Sequence, residues 1–345
     1  MKQLLLSLVV LVLLASPSRA ADEAVEVRLG YFANVTHAQA VLGAASGEFE
    51  KAVAPAKFST KVFNAGPSLV EALFAGEIDI GYVGPSPALS AHLQSRGKGI
   101  RVIAGAAANG VAIVARPGSG IEKMEDLRLK RIATPQLGNT QDMSARHYLL
   151  KVLGAPTVDN VIPVPNAEQG AMMERGQIDA AWAVEPWASR LIIENKAKLI
   201  AEEKDLWPSH EFTLTLVVVS PEFLEKHPDI VEKMLGVHVG LTKRLQGDPA
   251  GCAAPLSKAL ESLTSKKLSD AVIESSLKRV KFTNRPLDQT MTTFAQWAFD
   301  LGFAKGVPNV RTLVNTSILD KVEAAGAGAG ETPEFRSPAP SPSSK

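Results

Sequence analysis

The sequence has little of what most enzymes and metalloproteins use for chemistry. It contains one cysteine, Cys252, so no internal disulfide can form, and its 6 histidines are scattered along the chain. No group of His and Cys has the spacing of metal ligands, and there is neither a Gly-x-Ser-x-Gly elbow nor a glycine-rich phosphate loop with lysine. We therefore expect no catalytic residues, no metal and no cofactor, and a fold that depends on its apolar core.

The chain also lacks an excess of either charge. It has 37 basic and 36 acidic residues, which gives a formal net charge of +1. This balance argues against nucleic acid or an anionic membrane as the main partner, because both attract a strongly basic surface. It does not argue against a small anion, because a buried site can hold an anion with backbone N–H groups.

Apolar runs long enough to span a membrane are missing. Residues 4–15 form an apolar run behind Lys2 that is too short to cross a bilayer comfortably, and Ser16 and Pro17 end it. We interpret residues 1–20 as a signal peptide cleaved after Ala20, with an uncleaved membrane anchor as the alternative, so the mature chain is expected to be exported. Residues 324–345 are rich in Ala, Gly, Pro and Ser, which predicts a disordered tail.

One motif occurs twice, one hundred residues apart. Residues 76–88 read Gly-Glu-Ile-Asp-Ile-Gly-Tyr-Val-Gly-Pro-Ser-Pro-Ala, and residues 176–188 read Gly-Gln-Ile-Asp-Ala-Ala-Trp-Ala-Val-Glu-Pro-Trp-Ala. In each copy we expect the glycine to end a helix, the aspartate to satisfy N–H groups of the turn, and the isoleucine to enter a buried strand. A repeated strand–loop–helix plan predicts two similar lobes and a cleft between them, where small ligands bind in α/β proteins.

Strands alternate with helices along most of the chain. This alternation predicts an α/β fold with two lobes, each a mainly parallel sheet flanked by helices. We place the first lobe at residues 21–115 and 217–323 and the second lobe at residues 116–216. The two crossings between lobes, near Arg116 and near Val217, are expected to act as hinges.

Four predicted helices start directly after strands, at Thr36, Gly66, Pro85 and Thr140. A helix N-terminus carries free N–H groups and the positive end of the helix dipole. Several of them around one cleft can therefore bind an anion without a buried lysine. The alternative is that these residues only cap their helices.

Side chains near these loops are candidate ligand contacts, each with a plainer alternative. Asn139 and Thr140 either bind the ligand or cap a helix, and His37 either donates a hydrogen bond to an oxyanion or is a solvated first-turn residue. Trp182 either contacts an organic ligand or lies in the core. Glu185 pairs with a ligand amine, with an arginine of the other lobe, or with a surface or hinge partner.

Together, these motifs resemble one family of proteins. Leu29-Gly-Tyr-Phe, residues 34–37, 76–87 and 133–142, Ile178-Asp-Ala-Ala-Trp and Glu185-Pro-Trp-Ala are similar to segments of ABC-importer substrate-binding proteins of the nitrate/sulfonate/taurine group. The resemblance covers residues 25–323 and implies the two-lobed periplasmic binding protein fold. It also implies a monomer that closes around a small-molecule anion or zwitterion and delivers it to an ABC permease in the inner membrane. By motif position, it implies these ligand-binding residues: Asn34, His37, Gly66, Pro67, Ser68, Gly84, Pro85, Ser86, Gly138, Asn139, Thr140, Gln141, Asp142, Trp182 and Glu185.

Two classes of function follow from these expectations. The favoured one is a binding protein for a small oxyanion-bearing nutrient, an aliphatic sulfonate or taurine, with nitrate, bicarbonate or a thiamine-precursor pyrimidine as alternative ligands. The other is an enzyme on the same fold, similar to a chorismate lyase or to a pyrimidine-forming enzyme. The export signal argues against an enzyme with a cytoplasmic substrate, and one cysteine cannot supply the iron site that the pyrimidine-forming type needs.

Overall fold

The computed structural model describes residues 25–327. The predicted signal peptide, residues 1–20, lies outside the described residues. The predicted tail starts at residue 324, but the last helix, Ser317–Ala327, continues past that point. Leu319 is fully buried in the core, and Ile318 and Val322 pack beside it, so the helix is anchored and the alanines that follow extend it. The rest of the predicted tail lies outside the described residues.

Strands in the described part of the chain form a six-stranded and a five-stranded sheet. In chain order they are β1 (Glu26–Phe32), β2 (Lys57–Phe63), β3 (Ile80–Val83), β4 (Arg101–Asn109), β5 (Val111–Ala115), β6 (Ile132–Thr134), β7 (Val161–Pro163), β8 (Ala180–Val184), β9 (Lys198–Glu202), β10 (Thr213–Val219) and β11 (Val280–Phe282). The first sheet has the order β11-β4-β10-β3-β1-β2, and the second has the order β7-β6-β8-β5-β9. Each contains three neighbouring parallel strands, continued on one side by antiparallel ones. The two-lobed α/β architecture is confirmed, but both sheets are mixed and not mainly parallel, since three of five strand pairings in the first sheet and two of four in the second are antiparallel.

Helices cover the faces of both sheets. They are α1 (Ala38–Ala45), α2 (Glu48–Val53), α3 (Gly66–Phe74), α4 (Pro85–Gln94), α5 (Thr140–His147), α6 (Asn166–Glu174), α7 (Trp187–Ile193), α8 (Pro221–Lys226), α9 (Pro228–Gly247), α10 (Pro249–Thr264), α11 (Asp270–Arg279), α12 (Asp288–Asp300), α13 (Val310–Leu313) and α14 (Ser317–Ala327). No helix within residues 25–327 is long and apolar enough to span a bilayer.

The chain passes between the sheets at other points than the sequence predicts. Strand β5, placed by the prediction in the first lobe, pairs with β8 and β9 of the second sheet. The crossing lies at Asn109 and Gly110, whose φ angles are +61° and +78°, and not at Arg116. Two left-handed residues redirect the chain without a proline, so the Pro and Gly after Arg116 are a misleading signal. The return crossing ends at Thr213, where β10 begins in the first sheet, and not at Val217.

The repeated motif forms the same contact in both lobes, an aspartate bonded to an arginine of the neighbouring strand, which we call the Asp–Arg bracket. Asp79 accepts hydrogen bonds from the backbone N–H and the guanidinium of Arg28, at 2.9 Å and 2.7 Å. Asp179 accepts the corresponding bonds from Arg131, at 3.1 Å and 3.0 Å. In both lobes the arginine also bonds the carbonyl of the glycine that opens the motif. Both aspartates are structural, as expected, but their partner is an arginine of the neighbouring strand and not the N–H groups of their own turn. Each aspartate ties together the starts of two neighbouring strands.

The strand in each copy of the motif lies inside its sheet. Both β3 and β8 are buried along their whole length. Helices cover both faces of such central strands, which explains why their sequences are apolar throughout. The motif is therefore scaffold, and the loops that follow its strands are the parts free to contact a ligand.

Candidate functional site

A cavity lies between the two sheets, at the carboxyl ends of their parallel strands. Most of its lining residues end or follow β1, β2 and β3 of the first sheet and β6, β7 and β8 of the second. Its volume is about 30 Å³. This is far below the roughly 300–1,000 Å³ of drug-sized pockets, so the space suits only a small solute. The carboxyl ends of parallel strands are where open α/β sheets bind ligands.

Loops of the first sheet form one side of the cavity. Its lining residues here are Phe32, Asn34, Thr36, His37, Asn64, Ala65, Gly66, Gly84 and Pro87. Helix α3 begins at Gly66 and helix α4 at Pro85, each directly after a strand, so both N-termini face the cavity. Each helix has a proline in its first turn, where no intrahelical partner exists for an N–H group.

The other side is formed by the second sheet and by one strand of the first. Its lining residues are Pro135, Asn139, Thr140, Gln141, Asn166 and Val184, together with Leu214 and Thr215 from β10. Helix α5 begins at Thr140 and helix α6 at Asn166. Four helix N-termini from two lobes therefore surround one small space.

The loop before α5 is held by its own side chains. The Asn139 Oδ1 atom accepts the backbone N–H of Asp142 at 2.8 Å, which caps the helix. Asp142 is fully buried, accepts the backbone N–H of Gly138 at 2.9 Å and pairs with Arg146 at 2.9 Å. Asp142 therefore fixes the loop that carries Thr140 and does not line the cavity itself.

His37 is buried and neutral. Only 3% of its surface is exposed, so the alternative of a solvated first-turn residue is wrong. Its Nδ1 atom accepts the backbone N–H of Phe32 at 3.3 Å, which places the ring proton on Nε2. Burial lowers the pKa of His37 to about 3. The imidazole therefore stays uncharged near neutral pH and offers one N–H donor.

Hydroxyl groups at the cavity have no partner within the described part of the chain. Thr140 is 3% exposed and Thr215 is 0% exposed, and neither Oγ1 atom has a hydrogen-bond partner there. The Oγ atom of Ser86, in the first turn of α4, is also buried and unpaired. Leaving a buried hydroxyl unpaired costs about 1–3 kcal/mol, which a ligand acceptor would offset.

Formal charge is missing from the cavity wall. None of the residues that line it, within the described ranges, is Asp, Glu, Lys or Arg. The polar groups are amides, hydroxyls, one neutral imidazole and the N-terminal ends of helices. A negative charge placed here is stabilised by dipoles and hydrogen-bond donors and not by an opposite charge.

The two lobes touch around the cavity. A Cβ atom added at Gly84 would lie 2.2 Å from the Oγ1 atom of Thr140 in the other lobe. The Trp187 Nε1–H donates across the lobes to Asn34 Oδ1 at 2.8 Å. The structure is therefore a closed form, in which only a glycine fits at position 84.

The structure brings part of the predicted site together. Asn34, His37, Gly66, Gly84, Asn139, Thr140 and Gln141 all line the cavity. Pro67, Ser68, Pro85, Ser86, Gly138 and Asp142 belong to the same loops and first turns without lining it. Among these, Ser68 donates a hydrogen bond to Gln136 of the facing lobe at 3.4 Å, and Pro67 and Pro85 occupy first turns.

Trp182 does not line this cavity, and its interpretation as a contact of the cleft ligand is wrong. It is 1% exposed, and its Nε1–H donates to Glu203 at 2.5 Å. It stands in the middle of β8, whereas only the last residue of that strand, Val184, reaches the cavity. An aromatic ring in mid-strand is held in the core, as the alternative interpretation expects.

Glu185 also lies away from the cavity, so pairing with a ligand amine there is excluded in this structure. It is fully buried and accepts the Ser189 hydroxyl at 3.0 Å and the Ser276 hydroxyl at 2.9 Å. Arg279 lies 3.5 Å from its Oε1 atom. Burial raises the pKa of Glu185, although these partners oppose the shift. Helix α11, which carries Ser276 and Arg279, leads into β11 of the first sheet, so Glu185 joins the two lobes.

Several lining residues were not predicted. They are Phe32, Thr36, Asn64, Ala65, Pro87, Pro135, Asn166, Val184, Leu214 and Thr215. Asn64 follows β2 directly and Asn166 lies three residues after the end of β7, so the rule that picked out the other strand ends also applies to them. Leu214 and Thr215 lie on the returning strand β10, whose sequence carries no sign that it borders a cleft. No cluster of His, Cys, Asp and Glu able to hold a metal occurs within residues 25–327.

Comparison with known proteins gives the family of this chain. Residues 20–260 match the model of the NMT1-like family. The chain belongs to the NMT1-like family. The taurine-binding periplasmic protein of Escherichia coli K12 is 32% identical over 173 residues, which is 49% of this chain. The chain spans about half of that relative, 52% of its length.

Solved structures of this fold match nearly the whole chain. The alkanesulfonate-binding protein SsuA from Xanthomonas axonopodis pv. citri, bound to MOPS, matches with a TM-score of 0.66 at 25% identity, covering 88% of this chain and 99% of SsuA. The periplasmic nitrate-binding protein NrtA from Synechocystis PCC 6803 matches with a TM-score of 0.73 at 14% identity, covering 88% and 89% of the two chains. The second match concerns the fold alone.

Proposed function

We propose that this protein is the periplasmic solute-binding component of an ABC importer, and that its cleft captures a small oxyanion, an alkyl sulfonate first of all. The observation that carries the proposal is the pair of buried, unpartnered hydroxyls of Thr140 and Thr215 among four helix N-termini. Relatives named for taurine and alkanesulfonate binding support the ligand class. Delivery to a permease of the inner membrane, and export after loss of residues 1–20, belong to the same proposal.

The lining favours an anion with an organic part. Donors cluster at the helix N-termini, while Phe32, Leu214 and Val184 supply apolar surface to the same space. An alkyl sulfonate presents three acceptor oxygens to the donors and a hydrocarbon chain to the apolar side. Nitrate and bicarbonate use only the donors, so they are the weaker alternatives.

Taurine is less suited to this wall than a sulfonate without an amine. Its ammonium group would be buried where no residue of the described lining carries a negative charge. Burying an unpaired charge is costly. A propyl chain has nearly the same size and replaces the ammonium with a methyl group, so 1-propanesulfonate and taurine form a matched pair of test ligands.

The residues that line the cavity favour ligand binding over catalysis. His37 is the sole ionisable side chain that lines the cavity in the described ranges, and its pKa of about 3 makes it a poor base near neutral pH. Cys252 packs in the core on α10 and does not line the cavity. These features support a protein that captures its ligand and releases it unchanged.

The ligand assignment is tested by thermal shift and calorimetry on the chain without residues 1–20. We expect 1-propanesulfonate to raise the melting temperature, because a ligand that binds only the folded state stabilises it. Taurine, nitrate and bicarbonate should give smaller shifts. No shift with any of these four compounds would overturn the assignment, and a larger shift with taurine would overturn the argument from the missing carboxylate.

The site itself is tested by Thr140→Val, which removes the hydroxyl and keeps the shape. Hydrogen bonds to charged groups contribute about 1.5–3 kcal/mol, so affinity for 1-propanesulfonate should fall roughly 10-fold to 100-fold. Thr292→Val, at an exposed position on α12, is the control and should bind like the parent chain. Equal affinity in both variants would place the ligand elsewhere.

A further inference from the structure

A second cavity lies beside the cleft and shares no lining residue with it. Its volume is about 210 Å³, and it is bordered by α5, β8, α12 and the segment that returns from β9 to β10. Helix α12 packs against α4 of the first lobe and against α5 of the second. The cavity therefore lies where the two lobes and one of their crossings meet.

Aromatic rings dominate its wall. Three of the chain's 4 tryptophans line it, Trp182, Trp207 and Trp297, together with Tyr148. The ring centroids of Trp207 and Trp297 are 4.9 Å apart, and those of Tyr148 and Trp182 are 6.0 Å apart. Trp297 is only partly buried and belongs to the first lobe, so the ring set is completed when the lobes are together.

A buried carboxylate completes this wall. Glu203 is 1% exposed and accepts the Ser144 hydroxyl at 2.6 Å and the Trp182 Nε1–H at 2.5 Å. The side chain of Trp207 also hydrogen-bonds to it. No Lys or Arg of the described chain forms an ion pair with Glu203. The neighbouring Lys204 pairs with Glu202 instead. The negative charge is thus buried with donors but without a counter-charge.

Buried charges in proteins are normally paired, because an isolated ion loses its hydration without compensation. A cavity walled by indole rings and one carboxylate is suited to a particular partner, since the faces of tryptophan rings attract cations, most strongly where water is excluded. We propose that this cavity binds a small organic cation of the methylated-ammonium class, with its charge opposite Glu203 and its methyl groups against the tryptophan rings. This site is independent of the anion proposed for the cleft.

The ionisation of Glu203 gives the proposal a pH signature. Burial raises the pKa of Glu203 to about 7, the hydrogen bonds from Ser144, Trp182 and Trp207 opposing the shift. Affinity for a cation should therefore rise as the pH increases from 6 to 8. Of the other ionisable groups that line the cavity, Tyr148 has a raised pKa, and His147 has a pKa lowered to about 4 by its burial and, further, by Lys151, Asp300 acting the other way. The pKa of Tyr148 is raised first by burial and then by Glu125.

The test uses choline and its neutral isostere 3,3-dimethyl-1-butanol, followed by tryptophan fluorescence and calorimetry on the chain without residues 1–20. We expect saturable binding of choline, with the neutral alcohol bound at least about tenfold more weakly. No saturable response to choline or to tetramethylammonium, or equal binding of the alcohol, would overturn the proposal. This comparison needs no variant and so does not depend on the folding of a mutant.

Variants then locate the site. Glu203→Gln should reduce choline affinity at least about tenfold and remove its pH dependence, and Trp297→Leu at the partly exposed rim should also weaken it. Thr140→Val, in the cleft, should bind choline normally, and excess 1-propanesulfonate should not compete. Choline binding that survives both Glu203→Gln and Trp297→Leu, or that 1-propanesulfonate displaces, would place the cation elsewhere. These outcomes are separate from success or failure of the sulfonate assignment.

Discussion

The two copies of the repeated motif share their beginnings and differ in their ends. Near its start, each copy has an aspartate that pairs with an arginine of the neighbouring strand, Asp79 with Arg28 and Asp179 with Arg131. After the strand, the first copy leads through Gly84 into the N-terminus of α4 at the cleft, whereas the second leads through Glu185 into a buried contact between lobes. The duplicated part builds the lobes, and the divergent part gives them different tasks.

The aromatic residues of the two copies show the same division. Tyr82 and Trp182 are both buried, and each hydrogen-bonds to a buried ionisable group. The Tyr82 hydroxyl lies 2.8 Å from His238 Nδ1 under α9, inside a packed core. Trp182 bonds to Glu203, which borders an open cavity. One partner is packed in the core, and the other lines the second cavity.

Removing Glu185 should give the largest effect on stability. In Glu185→Ala, Arg279 and two serines lose a buried acceptor, so the free energy of unfolding should fall by about 3–5 kcal/mol, measured by urea denaturation. Ser86→Ala, in the first turn of α4, removes a buried hydroxyl that has no partner, so it should leave the free energy of unfolding unchanged or raise it by up to about 1–3 kcal/mol. Similar losses in both variants would contradict the division of tasks between the copies.

The second largest effect is expected from Gly84→Ala, as a loss of ligand binding. The methyl group of Gly84→Ala would meet the Thr140 hydroxyl of the facing lobe and hold the cleft open. We expect affinity for 1-propanesulfonate to fall by about 100-fold, or about 2.7 kcal/mol, in calorimetry. In small-angle scattering, the radius of gyration of Gly84→Ala should be the same with and without 1-propanesulfonate.

Gly236→Ala is the matched control for this variant. It lies on α9 with nothing within 4 Å of the added methyl group. It should leave affinity unchanged and stabilise the fold by about 0.5–1 kcal/mol, since alanine favours a helix interior. Normal binding by Gly84→Ala would show that closure does not need this glycine.

The smallest effect is expected from removing the Asp–Arg bracket of the second lobe, as a change in how stability depends on acidic pH. The side-chain hydrogen bond from Arg131 is the main cause that lowers the pKa of Asp179 to about 2, from an ordinary value of 3.8. A carboxyl whose pKa is lowered by folding stabilises the protein above its unfolded pKa and loses that effect as the pH falls. Between pH 5 and pH 2 the parent chain should therefore lose about 2 kcal/mol through this group.

Asp179→Asn should lack that part of the pH dependence and be less stable at pH 7. Glu122→Gln, which breaks an exposed ion pair with Lys198, is the control and should change stability by less than about 1 kcal/mol. Urea denaturation from pH 2 to pH 7 measures all three proteins. An unchanged pH profile in Asp179→Asn would show that the bracket does not contribute to acid stability.

The sequence predicts the scaffold well because its signals are local. Alternating apolar strands, helix-ending glycines and loops at strand ends define both sheets, and the same loops lead to Asn34, Gly84 and Thr140 at the cleft. The crossings are predicted less well. The change of sheet at Asn109 and Gly110 depends on two backbone angles. The Pro and Gly after Arg116 are a more conspicuous sequence pattern, yet the chain does not change sheets there.

The remaining errors concern which polar or aromatic residue faces what. Thr215 lies on an apolar strand and reaches the cleft only because β10 returns beside β3. Glu185 directly follows a strand, as the cleft-lining loops do. Its partner Arg279 is 94 residues away in sequence and is brought to it by helix packing. Contacts of this range depend on tertiary structure and leave no local pattern.

The uncharged wall of the cleft determines how a ligand would be selected. A sulfonate keeps its charge at every pH at which the protein folds, and His37 stays neutral well above a pKa of about 3, so capture takes up and releases no proton. Dipoles also act over short distances, so the cleft draws anions weakly from afar and salt competes little with it. Ligands of different fit should then enter at similar rates, and the time each one stays would decide which of them is passed on.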